Sequence, residues 1–264
     1  MTREWVTTLV VGLLVGVAGG LIGLGGAELR LPYLVGILGL SPKRAVPVNL
    51  AVSLFTVLAA LPVRVAGSGL APLAEWAAIA AGLILGAMVA AYVGAGWVRR
   101  ISSATLSKLI AALLILLGLI MIAEAFVPLA PAGLFPAEAV YRIAIALAAG
   151  FLIGAISSLL GVAGGEVIIP TLVVGFGVPV SPAGTLSLII SLPTIVVGLV
   201  RHWLAGAFAD RQLALAVILP LALGSVIGAP VGGMLAASAP AALIKAVLGA
   251  LLVWSAWKVF THRT

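Results

Sequence analysis

The chain has 264 residues, of which 64% are hydrophobic and 8% are charged, and its mean hydropathy is +1.36. A soluble domain carries roughly 25% charged residues, so this composition excludes an ordinary soluble protein and predicts an all-α integral membrane protein. The net charge of +7 comes from Lys and Arg residues spread between apolar runs, as expected of cytosolic loops, so we expect no nucleic-acid partner. The absence of cysteine excludes thiolate metal sites.

Uncharged stretches divide the chain into about ten membrane helices, five in each half. Single elements occupy the stretches at 5–27, 31–42, 45–63, 76–98, 109–123 and 143–165. Two longer stretches, 167–200 and 212–244, exceed one span, and turn signals at 179–182 and 236–240 predict that each folds back once. The last run ends near Phe260, and the second element of each half is short.

The second half of the chain repeats the first at an offset of 138 positions without a gap. Glu28 and Pro32 fall on Glu166 and Pro170 at this offset. Recurring glycines alone would be weak support, because small residues let helices approach closely in any membrane protein. We predict a first membrane repeat at 1–127, a linker at 128–138 and a second membrane repeat at 139–264.

Loop charges predict that the two repeats have opposite orientations. Lys43 and Arg44 mark the loop at 40–44 as cytosolic, whereas the equivalent loop at 178–182 carries no charge and is expected outside. The other equivalent loops change sides in the same way. We therefore expect an inverted repeat of two five-helix units, multi-pass in the cell (inner) membrane, with both termini in the cytoplasm. Secondary transporters often have this architecture, with a substrate site near the midplane between the repeats.

The first two elements of each repeat form a hairpin, either re-entrant or made of two short spans, with a glycine-rich tip. The tips are Gly23-Leu-Gly-Gly-Ala-Glu28 and Gly161-Val-Ala-Gly-Gly-Glu166. Each precedes a helix of about twelve residues, roughly 18 Å long, against a hydrocarbon core of about 30 Å. A helix that begins inside the membrane presents unpaired N–H groups to anions. We predict a central anion site at Gly25, Gly26, Ala27 and Glu28 and at Ala163, Gly164, Gly165 and Glu166. The alternative is that these glycines serve only helix packing.

The two tips resemble those of the TauE/SafE family of sulfite and organosulfonate exporters. The shared pattern is Gly-x-Gly-Gly-(Gly/Ala) followed by a proline, present here from Gly23 to Pro32 and again from Gly161 to Pro170. The resemblance spans nearly the whole chain and implies transport of small sulfur-containing anions, with the tips as the matching positions. The chain departs from the usual pattern at Glu28 and Glu166, where the family has an apolar residue, and at Ala163, the counterpart of Gly25.

Glu28 and Glu166 are the most informative polar residues, since a charge at the centre of a bilayer is costly and normally marks a pathway. An ionised carboxylate would repel an anion, so a transport role requires protons on these groups, and we expect proton coupling. The alternative is a first-turn glutamate that accepts bonds from amide N–H groups. Arg30, which Ile168 replaces in the second repeat, would either neutralise Glu28 or contact the substrate.

Polar residues on the third helix of each repeat are further candidates for substrate binding. They are Asn49 and Ser53 in the first repeat and Thr185, Ser187 and Ser191 in the second. These side chains would line the cavity, or would bond their own helix or a neighbouring one. Arg64 aligns with His202 near the helix ends, and we expect both to reach the lipid headgroups.

We therefore predict a secondary transporter that exports a small anion, sulfite or an organosulfonate, by alternating access at a midplane site. Its expected partners are the anionic substrate, the lipid bilayer and protons. An anion channel is the alternative. An intramembrane enzyme fits less well, because the single aspartate, Asp210, lies in a loop and the only histidines are His202 and His262. We expect no cofactor, no metal and no catalytic residue.

Overall fold

Apolar segments in a membrane fold as helices, because no water is present to bond the backbone and a helix pairs the N–H and carbonyl groups within one segment. The structure is a computed structural model that describes residues 2–23, 25–69, 71–127, 130–235 and 241–261, and these ranges contain helices but no strand. The predicted turn at 236–240, positions 128 and 129 of the predicted linker, and His262 lie outside the described residues.

The first half of the chain folds into α1 to α6. Their bounds are Thr2–Ile22 for α1, Ala27–Pro32 for α2, Pro42–Ser68 for α3, Ala71–Ala74 for α4, Ala77–Arg100 for α5 and Ser103–Phe126 for α6. A π-helical segment, Tyr33–Ile37, continues α2 directly after Pro32.

The second half folds into α7 to α12. Their bounds are Ala139–Leu160 for α7, Gly165–Pro170 for α8, Val180–Leu204 for α9, Arg211–Leu213 for α10, Leu219–Leu235 for α11 and Ala241–Thr261 for α12. A π-helical segment, Thr171–Gly175, continues α8, and another, Ala214–Ile218, joins α10 to α11.

Seven of the described helical segments are long and apolar enough to cross a membrane, so the chain is an all-helical, multi-pass membrane protein. They are Glu4–Leu21, Pro42–Gly67, Ala77–Val98, Ser103–Phe126, Ala139–Leu160, Val180–Leu204 and Arg211–Leu235. The hairpin that begins with α1 has arms of unequal length. Its first arm has 21 residues and measures about 32 Å, whereas α2 and its π-helical continuation span about 16 Å.

Helix pairs that correspond at the offset of 138 positions make corresponding contacts. The segment 27–37 in the first half matches 165–175 in the second, residue for residue. Helix α1 packs against α11, as α7 packs against α5, while α3 contacts α9 and α6 contacts α12. The number of membrane helices and the opposite orientation of the halves remain predictions.

Glycines bring the paired helices into backbone contact. Gly12, Gly16 and Gly20 of α1 face the backbone of α11, and Gly224, Gly228 and Gly232 of α11 face that of α1. Gly86 of α5 lies against the backbone of α7 at Leu147 in the same way. For these glycines, the structure supports the packing role that small residues have in membrane helices.

Each end of the helix bundle brings together loops from both halves. At one end, Arg44 and Asp210 form an exposed ion pair of 3.5 Å. At the other end, backbone N–H groups of Ala132, Leu134 and Phe135 donate to the carbonyls of residues 173–175 at 3.3, 3.1 and 2.9 Å. The described part of the linker therefore lies across the end of the segment that follows α8.

Two glycines of α5 form a matched pair that tests this packing. Gly86→Ala places a methyl group against the Leu147 backbone of α7, and we expect it to lower the free energy of unfolding by about 1–3 kcal/mol. Gly96→Ala, whose methyl group meets no atom within 4 Å, should be neutral or stabilise the helix by up to about 1 kcal/mol. Thermal melting in detergent measures both variants, and equal melting temperatures would contradict the packing.

Candidate substrate site at the two hairpin tips

The two tips form because glycines break each hairpin with left-handed backbone. Gly26 and Gly164 immediately precede α2 and α8 with φ of 66° and 81°. A side chain on Gly26 would also meet the carbonyl oxygen of Val15 at 2.9 Å. The sequence therefore requires glycine here for the turn and for contact with α1, whatever else these residues bind.

The tips touch each other at equivalent positions of the two repeats. A Cβ atom on Gly25 would lie 2.8 Å from the Cβ atom of Ala163, which is closer than two side-chain carbons pack. The contact leaves room for one methyl group. This explains in steric terms why Gly25 and Ala163 differ between the repeats.

Polar side chains of α3 and α9 connect the tips. The amide of Asn49 donates to the Ala27 carbonyl at 2.8 Å and to the Gly161 carbonyl at 2.7 Å, so one side chain holds both tips. Ser187, at the equivalent position of α9, donates to the Gly23 carbonyl at 3.3 Å. Each of the two helices thus supports the hairpin of the other repeat.

Arg30 lies 0% exposed at the centre of a complete hydrogen-bond network. Its five N–H groups match five neutral oxygen acceptors. These are Asn49 Oδ1 at 3.0 Å, Thr56 Oγ1 at 3.0 Å, Ser225 Oγ at 3.4 Å, the Gly25 carbonyl at 2.9 Å and Ser53 Oγ at 2.6 Å. The guanidinium donates to none of the carboxylates, and its donors are occupied. Arg30 therefore makes no hydrogen bond to Glu28, although its charge acts on that carboxylate, and its predicted contact with the substrate stays a prediction.

Glu28 and Glu166 line one small cavity between the tips and the pair formed by α6 and α12. The rest of the lining is apolar or glycine: Ala18, Gly19, Gly26, Leu29, Met121, Leu248 and Leu252. The two side chains are 1% and 8% exposed. Neither carboxylate oxygen of Glu28, nor Oε2 of Glu166, has a hydrogen-bond partner among the described residues. The alternative that Glu28 accepts bonds from helix amides therefore does not hold in this structure.

The remaining predicted site residues surround this centre. Ser53 accepts a bond from Arg30 and donates to the carbonyl of Asn49 at 2.8 Å. Ser191 and Thr185 are buried on α9, and the hydroxyl of Ser191 has no partner within the described ranges. Gly165 begins α8 and is buried. The structure thus buries these residues in the bundle, while their role in binding remains a prediction.

Two residues of the network were missed as site residues by the sequence reasoning. Thr56 accepts from Arg30 one helical turn beyond Ser53, and Ser225 reaches the guanidinium from α11 in the other half of the chain. The spacing of Thr56 after Asn49 and Ser53 on α3 would have identified Thr56 as a site residue. No local signal indicates Ser225, because its role depends on the packing of α11 against α1 and α3.

The prediction that Arg64 and His202 reach the headgroups is wrong. Arg64 donates to the carbonyls of Gly20 and Leu21 at 3.0 Å, at the end of α1 just before the first tip. His202 is buried. Arg64 lies against the bundle because the last carbonyls of a helix need donors and attract positive charge.

A family model described as "Sulfite exporter TauE/SafE" matches residues 1–121 and 145–264. The two matched ranges include both tips and all of the candidate residues. No curated protein and no solved structure matches the chain.

Asn49 and Ser187 provide a matched test of how the tips are held. Asn49→Ala removes three buried hydrogen bonds, and we expect a loss of about 3 kcal/mol in the free energy of unfolding. Ser187→Ala removes one long bond and should cost less than about 1 kcal/mol. Chemical or thermal unfolding in detergent compares the two, and a Ser187→Ala effect as large as that of Asn49→Ala would contradict the assigned contacts.

Proposed function

Since the chain belongs to the TauE/SafE sulfite exporter family, we propose that it is a secondary transporter that exports a small anion, with sulfite or an organosulfonate as the substrate. The members of this family are transporters, not enzymes. The observation that carries the proposal is the meeting of two equivalent helix beginnings, α2 and α8, inside a bundle of membrane helices.

The chemistry of the tips supports anion transport. The first N–H groups of a helix have no partner within the helix and carry partial positive charge. Where such N–H groups lie away from water, a bound anion accepts their hydrogen bonds and balances their partial positive charge. In this chain each tip precedes a helical segment of eleven residues, too short to cross a bilayer, so the N–H groups lie below the membrane surface.

The proposed topology is an inverted repeat of two five-helix units. The ion pair between Arg44 and Asp210 supports it, because the charges of both loops predict a cytosolic position. The contact of the linker with residues 173–175 supports it as well, since both are expected outside. With this orientation the protein lies in the cell membrane with both termini in the cytoplasm.

Protons are the proposed coupling ions, and Glu28 and Glu166 are the proposed carriers. The two carboxyl groups are the only charged groups in the described lining of their cavity, so protons that neutralise them favour the approach of an anion. A proton on each group would also supply a donor to the anion. Alternating access would then follow from movement of the tips around this site.

An anion channel is the second candidate, because the same helix beginnings would stabilise a permeating ion. The close contact between Gly25 and Ala163 favours the transporter. At this contact the two tips leave no space for an ion, so passage at this point requires them to separate.

The topology is tested by single cysteines in this cysteine-free chain. Ser41 and Ser181 are both exposed and lie at equivalent loops, so Ser41→Cys and Ser181→Cys offer accessible thiols. We expect Ser41→Cys to react with an impermeant maleimide only from the cytosolic side and Ser181→Cys only from outside. Labelling of both cysteines from one side would contradict the inverted repeat and, with it, the proposed midplane site.

Anion binding and its proton dependence are tested together by thermal stabilisation of the purified protein. A simple alkylsulfonate, whose own charge is constant between pH 5 and 8, is the probe that isolates titration of the protein. We expect it to raise the melting temperature more at low pH, because protonated carboxyls accept an anion beside them and a bound ligand stabilises the folded state. Glu28→Gln and Glu166→Gln should retain binding and lose much of this pH dependence.

The control is a chloride solution of the same ionic strength, which separates specific binding from screening. If the alkylsulfonate stabilises both glutamine variants with the pH dependence of the wild type, the proton-coupling proposal is wrong.

A further inference from the structure

We propose that Arg30 is a positioning residue that fixes the tip of the first hairpin, and that the tip of the second hairpin is the part of the central site that moves. The first half of this inference rests on the geometry of the network alone. The second half rests on the proposed transport function.

The first tip is held by a charged group that cannot shift without breaking several bonds. Arg30 joins the carbonyl of Gly25 to three side chains of α3 and to Ser225 of α11. A rigid guanidinium with all five donors in use fixes both position and orientation. A fully buried cation that lost one of these acceptors would leave an unsatisfied donor, so the arrangement opposes movement of the tip.

The second tip lacks this anchor, although most of the acceptors are present. Ile168 occupies the position of Arg30 and has no hydrogen-bonding side chain, so it cannot hold the carbonyl of Ala163. Ser191 and Thr194 occupy the positions of Ser53 and Thr56. The Ser191 hydroxyl has no partner in the described structure, and Thr194 donates to the carbonyl of Ile190 in its own helix at 3.0 Å.

The two hairpins also differ at their far ends. The second hairpin is held at its far end, where the linker bonds to the carbonyls of residues 173–175. The equivalent end of the first hairpin includes Ile37, which is 72% exposed. At the site, the second tip is held by the bonds from Asn49 to Gly161 and from Ser157 to Val162, whereas the first tip has the Arg30 network in addition to its bonds from Asn49 and Ser187. Bending of the second hairpin about its anchored end would move Glu166 relative to a stationary Glu28.

Hydrogen–deuterium exchange of the intact protein in detergent tests the inference without any substitution. Residues 25–32 and 163–170 are equivalent segments, each beginning beside a tip and ending at a proline. We expect the amides of 163–170 to exchange at least about tenfold faster than those of 25–32, because the Arg30 network opposes local opening only in the first tip. Equal exchange, or faster exchange of 25–32, would overturn the inference.

Substitutions of Arg30 then separate positioning from general stability. Arg30→Ile, which copies the second repeat, should raise the exchange of 25–32 about tenfold and leave α5 and α7 within about twofold of the wild type. Arg30→Lys, with three donors in place of five, should give an intermediate value. Ser225→Ala is the matched control, because it removes the 3.4 Å bond from Arg30 and the 3.1 Å bond to the Gly12 carbonyl but leaves the bond from Arg30 to the Gly25 carbonyl. It should change the exchange of 25–32 by less than about twofold. A uniform increase along the whole chain in Arg30→Lys would assign Arg30 to general stability and overturn its positioning role.

Sulfite added to the wild type tests which tip moves. We expect it to change the exchange of 163–170 and to leave 25–32 within about twofold. A change confined to 25–32 would overturn the proposed movement. If sulfite alters neither exchange nor melting temperature, the substrate assignment fails, and the comparison without sulfite still decides the role of Arg30.

Discussion

The structure depends on satisfying the backbone where two membrane helices are interrupted. Glycines with left-handed backbone end the first arm of each hairpin and begin a short helix within the bundle. In hydrocarbon, an interrupted helix is tolerated only when protein groups take up the freed N–H and carbonyl groups. Asn49 bonds carbonyls in both tips, Ser187 bonds one, and Arg30 bonds another. The buried polar residues of α3 and α9 therefore make the interruption possible, and the interruption creates the site.

These bonds also account for the difference between the two halves of the chain. Both halves share the helix order and the spacing of the tips, but one has Arg30 where the other has Ile168. The charge of the guanidinium acts on both glutamates, while its hydrogen bonds go to neutral oxygens. The two repeats thus share the same helix order, but different side chains hold their two tips. A transporter benefits from such a difference, since one part of its site has to move relative to another.

Much of the framework could be predicted from the sequence, because the repeat at an offset of 138 positions is also present in the helices that the two halves form. The offset that pairs Glu28 with Glu166 also relates the segments 27–37 and 165–175. The contacts of Arg30 could not be predicted, because its acceptors come from three parts of the chain and only packing brings them together. The sequence also gave no reason for the exchange of Gly25 for Ala163, which depends on a distance between the tips.

We propose that a small anion crosses the membrane at these tips by a carrier mechanism. The direct measurement is sulfite efflux from liposomes containing the purified protein, over a range of internal sulfite concentrations and with and without a proton gradient. We expect a flux that saturates with concentration and rises when the gradient drives protons in the coupled direction. A flux that increases in proportion to concentration and ignores the gradient would contradict this proposal and identify a channel.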